Sequence, residues 1–155
     1  MKTNAMRILQ SAGIDYVVKP HTRAVFTVEE AAQERHVRTS QIVKTMVLKR
    51  GDGGFCVVLL PGHRQLSMKK VRRELGDSQV ELATREEVTR VTGYRVGAVT
   101  PLGIRRGQTP ILLDQAILEE EYVDISSGDP RAGIEVKSSD LVALLNPSIV
   151  DVAEQ

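Results

Sequence analysis

Two apolar runs separated by a short polar break dominate the pattern of this chain. Ile42-Val43-Lys44-Thr45-Met46-Val47-Leu48 carries one lysine near its start, and Phe55-Cys56-Val57-Val58-Leu59-Leu60 carries no charge. Between them lie Lys49-Arg50 and Gly51-Asp52-Gly53-Gly54, a density of turn formers suited to a sharp reversal. Two β-prone runs flanking such a turn predict a hairpin, and the unbroken apolarity of the second predicts a strand covered on both faces. Alternation in period two puts Lys44 on one face with Ile42, Met46 and Leu48. An ammonium in that position snorkels to water at the strand's end, loses its charge, or meets an anion.

Around this hairpin the pattern changes period repeatedly. Met1 to Gly13 predicts an amphipathic helix capped by Thr3 or Asn4, with Met6, Ile8, Leu9 and Ala12 on its apolar face. Ile14 to Val18 predicts a strand broken by Lys19-Pro20-His21-Thr22, because proline gives no N–H to a ladder. Thr27-Val28-Glu29-Glu30 is a capping box for a short helix, with Phe26 placed to staple against it. Ser67 caps a predicted helix from Met68 to Leu75, Val80 to Leu82 alternates like a strand, and Thr84-Arg85-Glu86-Glu87 opens another helix ending near Thr92. Ile111 to Leu113, Tyr122 to Ile125 and Ile134 to Val136 read as strands, with a short helix or turn from Asp114 to Glu120. Ser138 or Ser139 caps a helix through Leu145, and Ile149 to Val152 adds a last strand. Short strands interleaved with short helices make the chain α+β.

Length adds that residues 1–155 form a single domain with room for a sizeable core. With 21 basic against 20 acidic residues the net charge is +1, so any nucleic acid must be met by a local patch. The one dense basic cluster is Lys69, Lys70, Arg72 and Arg73, preceded by His63 and Arg64; it is either a solvated helix face or a phosphate-contacting surface. Aromatic residues amount to 3%, too few for a stacking platform of several rings. A single cysteine excludes an internal disulfide and a multi-cysteine zinc site, and Cys56 sits where a buried apolar residue belongs. No secretory h-region or long apolar span is present, which makes a cytoplasmic location the expectation.

Candidate chemistry is confined to a few places. The histidines at 21, 36 and 63 do not fall at a zinc-protease spacing, and no nucleophile-elbow motif occurs. Thr92-Gly93-Tyr94-Arg95-Val96-Gly97 running to Pro101-Leu102-Gly103, and Ser126-Ser127-Gly128-Asp129-Pro130-Arg131-Ala132-Gly133, are two glycine-bearing loops that either turn tightly or let a ligand approach the main chain. A strand lysine, two such loops and a basic helix are parts suited to holding an anionic ligand.

Taken together, Val43-Lys44-Thr45-Met46-Val47, Thr92-Gly93-Tyr94-x-x-Gly97 and the Ser127-Gly128 loop before Ile134-Glu135-Val136 resemble the YbaK family, as does His21-Thr22-Arg23-Ala24-Val25-Phe26-Thr27. That family includes the editing domain inserted in bacterial prolyl-tRNA synthetases and its free-standing relatives. The resemblance implies an α+β domain with a curved, barrel-like mixed sheet flanked by short helices. It also implies trans-editing: hydrolysis of the ester joining a wrong amino acid to transfer RNA, with alanine, serine or cysteine on the proline tRNA as the expected substrates. Water, positioned with help from a substrate ribose hydroxyl, would be the nucleophile. Lys44, Thr45, Gly97 and Gly128 match the catalytic positions, and His21, Phe26, Tyr94 and Asp129 the substrate-binding ones. Lys69, Lys70, Arg72 and Arg73 are the expected tRNA contacts. No cofactor, metal or membrane is implied, and prolyl-tRNA synthetase or an elongation factor is the candidate protein partner. The loop Gly128–Gly133 departs in spacing from the Gly-x-x-Pro-Ala loop of the inserted domains. Two other readings are a non-catalytic module that binds an RNA end or a partner protein in the same pocket, and a conventional hydrolase using a serine or Cys56.

Overall fold

In the computed structural model, which describes residues 2–104 and 109–155, the elements run α1 (Asn4–Ser11), β1 (Val17–Pro20), α2 (Val28–Arg35), β2 (Val43–Lys49), β3 (Phe55–Pro61), α3 (Met68–Leu75), β4 (Glu81–Leu82), α4 (Arg85–Thr92), β5 (Ile111–Asp114), β6 (Tyr122–Ser126), β7 (Ala132–Lys137), α5 (Ser138–Leu145) and β8 (Ser148–Val150). Met1, from which the first helix was expected to start, lies outside the described residues. The two long apolar runs form the expected antiparallel hairpin, with Val43 opposite Pro61 and Lys49 opposite Phe55. It is the centre of a five-stranded sheet ordered β4-β2-β3-β5-β8, in which β5 and β8 run parallel to β3. A second, antiparallel sheet has the order β1-β7-β6. The sheets meet at a parallel bridge between Ile42 and Asp124. The mixed α+β expectation holds, but the sheets do not close into a barrel, so the barrel-like description is too loose.

The hairpin's two faces feed two cores. Val43 and Val47 pack with Val57, Leu59, Leu113 and Ile125 in the larger one, while Leu48, Cys56, Val58 and Leu60 join Val71 and Val152 in the other. Burial on both faces is why β3 carries an unbroken apolar run. Short helices cover these faces, and α1 to α4 are each started by a hydroxyl cap: Thr3, Thr27, Ser67 and Thr84 accept from the backbone N–H of Met6, Glu30, Lys70 and Glu87.

Three local expectations need correction. The first strand is Val17–Pro20 and includes the proline expected to break it. It is an edge strand, paired only with β7, and Pro20 is its last residue, a place where a missing N–H is tolerated. The last helix has Lys137 at its cap position and no side-chain cap bond; the Ser138 hydroxyl instead donates to Glu120 O at 2.6 Å. The last strand ends at Val150 rather than Val152.

Beyond the hairpin, the site depends on one omission in the larger sheet. β4 pairs with Leu48 and Lys49, and β6 touches the other end at the Ile42–Asp124 bridge, so among the described residues Val43 to Met46 have no paired strand along that edge. Both Lys44 and Thr45, which project to opposite faces, therefore border the same open space.

Candidate active site

That space is a cleft of about 250 Å³ between α2, the start of β2 and the loop carrying Gly97. Val25, Val28, Ala31, Ile42 and Val99 make its apolar wall; Lys44, Thr45, Arg35 and Ser126 bring its polar groups. The Lys44 ammonium donates to Arg64 O at 2.6 Å, which among the described residues leaves two of its N–H groups for other acceptors. Burial pushes its pKa below the usual lysine range, and Glu29 acts in the opposite direction. Thr45 Oγ1 is buried and has no hydrogen-bond partner among the described residues. A hydroxyl left in that condition costs about 1–3 kcal/mol, which a ligand's polar atom would recover.

Two glycines shape the rim. Gly97, with φ of +95°, lets Phe26 lie against the main chain; a Cβ there would be 3.0 Å from Phe26 Cδ1. Phe26 does not staple against its helix but stays 61% exposed at the cleft's edge. Its backbone N–H and the Thr27 hydroxyl both donate to the Glu30 carboxylate, which holds the turn that presents the ring. Gly128 also has φ of +95° and packs against the Tyr94 ring. This contact joins the two glycine loops predicted from sequence.

The other expected residues lie farther back. Tyr94, Gly128, His21 and Asp129 are not among the cleft's lining residues. Asp129 is bound within its own loop, accepting from Arg131 N at 2.8 Å and from the Arg131 guanidinium at 3.1 and 3.2 Å, which holds its carboxyl below the usual range. His21 has both ring nitrogens occupied: Nδ1 lies 2.9 Å from Pro130 O, and Nε2 accepts from Arg35 Nε at 3.0 Å. On α3, Lys70 is committed to Asp151 and Ala153 O, and Arg72 Nε donates to Val80 O. Lys69 and Arg73 are exposed. Lys44 links this basic segment to the cleft through its bond to the Arg64 carbonyl.

Sequence reasoning missed Arg35 and Ser126. A signal for Arg35 was present: Val28, Ala31, Ala32 and Arg35 fall at helical spacing on the buried face of α2, so the arginine had to point inward. Ser126 carried no such signal.

Cys56 takes no part. It is fully buried in the smaller core, and burial pushes its thiol up to about 11. A thiol reagent is therefore expected to leave the native protein unmodified and to react fully only after unfolding; fast labelling of the folded chain would place the thiol at the surface.

Behind the cleft lies a buried carboxyl pair. Asp124 is fully buried, and among the described residues no donor reaches either of its oxygens. Burial pushes its pKa up to about 7, and its hydrogen bond to Glu135 and that group's charge push the same way, against Lys19 and Arg35. Glu135 is held ionised by Lys19 at 3.0 Å, so the proton between the two carboxyls resides on Asp124. The folded state therefore holds a proton that the unfolded chain has released above about pH 4. This contribution to stability is full below that pH and is lost as pH rises through about 7. Asp124→Asn is expected to remove the decline and to raise the denaturation midpoint at pH 8; a wild-type midpoint that climbs from pH 5 to pH 8 through this group would contradict it.

A family model described as aminoacyl-tRNA editing domain matches residues 22–144. The chain belongs to this family. As an editing domain it falls in the expected enzyme class, the aminoacyl-tRNA deacylases. It is 25% identical over 153 residues to an Enterococcus faecalis protein provisionally named Cys-tRNA(Pro)/Cys-tRNA(Cys) deacylase EbsC, covering 97% of this chain and 93% of that one. It is 37% identical over 97 residues to the proline--tRNA ligase of Thermosipho melanesiensis, covering 63% of this chain but only 17% of the ligase. A solved structure provisionally described as a trans-editing enzyme for prolyl tRNA synthetase superposes with a TM-score of 0.85 at 28% identity over the whole of both chains. Among the described residues of the editing domain, no helix is long and apolar enough to cross a membrane.

Proposed function

We propose that this editing domain acts in trans, in the cytoplasm, hydrolysing the ester of a small amino acid, alanine, serine or cysteine, attached to the proline tRNA. The observation that carries this reading is the cleft's lining, to which one strand brings a half-buried ammonium and a buried hydroxyl that lacks a partner among the described residues. About 250 Å³ equals roughly eight waters at about 30 Å³ each, room for a small aminoacyl group and part of a ribose. The apolar wall of Val25, Val28, Ala31 and Val99 suits a short side chain.

In this reading Lys44 holds the terminal phosphate or ribose of the tRNA, and Thr45 hydrogen-bonds the aminoacyl group. Phe26 offers its exposed ring to the terminal adenine, a stacking contact worth about 1–3 kcal/mol. Gly97 lets the main chain come close. Gly128, Tyr94, His21 and Asp129 act from behind, by holding the rim. No side chain need attack the ester: water does, with its approach fixed by the ribose hydroxyl and by the protein's fixed dipoles. The exposed Lys69 and Arg73 continue the positive surface along which the acceptor stem would lie, with Lys70 and Arg72 contributing charge from their intramolecular bonds. Prolyl-tRNA synthetase or an elongation factor would be the source of the charged tRNA.

The test is to titrate the labelled protein with a non-hydrolysable 3′-aminoacylamino adenosine and follow backbone amide shifts. Shifts concentrated at Phe26, Lys44, Thr45 and Gly97 are expected. Saturation with those amides unmoved would place the ligand elsewhere.

A further inference from the structure

Arg35 is the least expected group near the cleft. It is 5% exposed, and no carboxylate lies within ion-pair distance of it among the described residues. A buried guanidinium in that state is costly unless its hydrogen bonds do something the fold needs. Its Nε–H donates to His21 Nε2 at 3.0 Å, and one terminal nitrogen approaches Ile125 O at 3.5 Å. The group lies flat on Gly133, where any Cβ would collide with its Cζ and Nε. It also lines the cleft. His21 in turn holds the loop 126–131: its ring Nδ1 and its backbone N–H reach Pro130 O and Arg131 O at 2.9 and 2.7 Å. Val25, a cleft residue, donates to the same Pro130 carbonyl at 2.8 Å.

The two ring contacts fix the chemistry of the imidazole. A carbonyl accepts only, so Nδ1 must carry the proton; Arg35 Nε–H donates only, so Nε2 must keep its lone pair. Only the neutral Nδ1–H tautomer satisfies both. A second proton would set two N–H groups against each other beside a guanidinium.

We propose that Arg35 and His21 are positioning residues of the editing reaction: they form a strut from the cleft floor to the loop 126–131 that holds only while His21 is neutral with its proton on Nδ1. The inference rests on the editing reading of the cleft given above. Charged groups face His21 from each element packed on it: Arg35 and Glu34 from α2, and Asp129 from the loop. Burial is the largest influence and lowers its pKa; Arg35 acts the same way, while the Pro130 bond, Glu34 and Asp129 oppose it. The net direction keeps the strut intact at neutral pH and releases it on acidification.

Long-range proton–nitrogen correlation of the imidazoles tests the strut without any substrate, the His21 signal being assigned by its absence in His21→Gln. The wild-type ring is expected as the Nδ1–H tautomer with a titration midpoint below about 6.5. Arg35→Lys leaves Pro130 O to keep the proton on Nδ1 but removes the fixed Nε–H donor that opposes a second proton on Nε2, and should raise the midpoint. A wild-type ring in the Nε2–H form, or one titrating at or above about 6.5, overturns the proposal. For a charged tRNA that wild type deacylates, Arg35→Lys should slow the bound complex by about 10–100-fold with half-saturation changed less than about threefold. His21→Gln keeps an acceptor for Arg35 but does not titrate, and should flatten the acid limb of the rate profile. An unchanged acid limb, or a loss confined to half-saturation, contradicts the strut. If wild type deacylates nothing, the editing reading fails by itself, and the imidazole spectra still decide this proposal.

Discussion

Lys44→Ala is expected to lower single-turnover deacylation by about 100-fold or more, the scale of loss when one fixed charge or donor is taken from a reacting centre. The substitution leaves the fold in place. Lys44 is only partly buried, its one hydrogen bond among the described residues is to Arg64 O, and loss of one such bond costs about 1 kcal/mol. Removing an ammonium that burial already disfavours offsets part of that cost. Lys44→Arg is expected to restore little: a planar fork cannot keep the Arg64 carbonyl and present a compact point charge to the cleft. Rates measured at enzyme excess, together with denaturation midpoints, separate the two effects. A Lys44→Ala protein that deacylates as fast as wild type would remove the lysine from the mechanism.

Gly128→Ala produces the largest expected loss of stability. The residue has φ of +95°, and an added Cβ would lie 2.6 Å from Tyr94 Cε1 and 3.2 Å from its Cδ1. Backbone strain of about 1–3 kcal/mol adds to overpacking of similar size. For a chain of this length each kcal/mol lowers Tm by about 2–4 °C, so a drop on the order of 10 °C is expected. The ring is half-buried and carried on the Gly97 loop, so pushing it aside also disturbs the cleft rim. Tyr94→Ala alone should cost less than the sum suggests, and in the double variant the steric part of the Gly128→Ala penalty should vanish while the φ strain remains. Additive effects in this cycle would mean that the ring and the glycine do not act on each other.

The features legible in the sequence are those set by local chemistry. The hairpin followed from apolar runs around Gly51-Asp52-Gly53-Gly54, and the helix starts at Thr27, Ser67 and Thr84 from side chains that accept a backbone N–H. Lys44 stood out because a charge on an apolar strand needs a reason. What local chemistry could not supply was which strand edge is left open. The cleft exists because β4 stops at Leu48 and Lys49, a consequence of sheet order. The same limit explains β1: Pro20 is acceptable there only because no strand lies on its outer side. His21 reads from sequence as a pocket residue, yet its ring is taken up by Pro130 and Arg35, which are distant in the chain. Arg35 was readable from its place on the apolar face of α2, but its partners Gly133 and Ile125 come from the other sheet.

The most direct measurement is the release of amino acid from proline tRNA charged in turn with alanine, serine, cysteine and proline, at enzyme excess and neutral pH. The account predicts rapid release of at least one of the three small non-cognate residues, with Pro-tRNA left intact and the rate lowered about 100-fold or more by Lys44→Ala. If all four remain charged, or if Pro-tRNA is cleaved as readily as the others, the editing account of this cleft is contradicted.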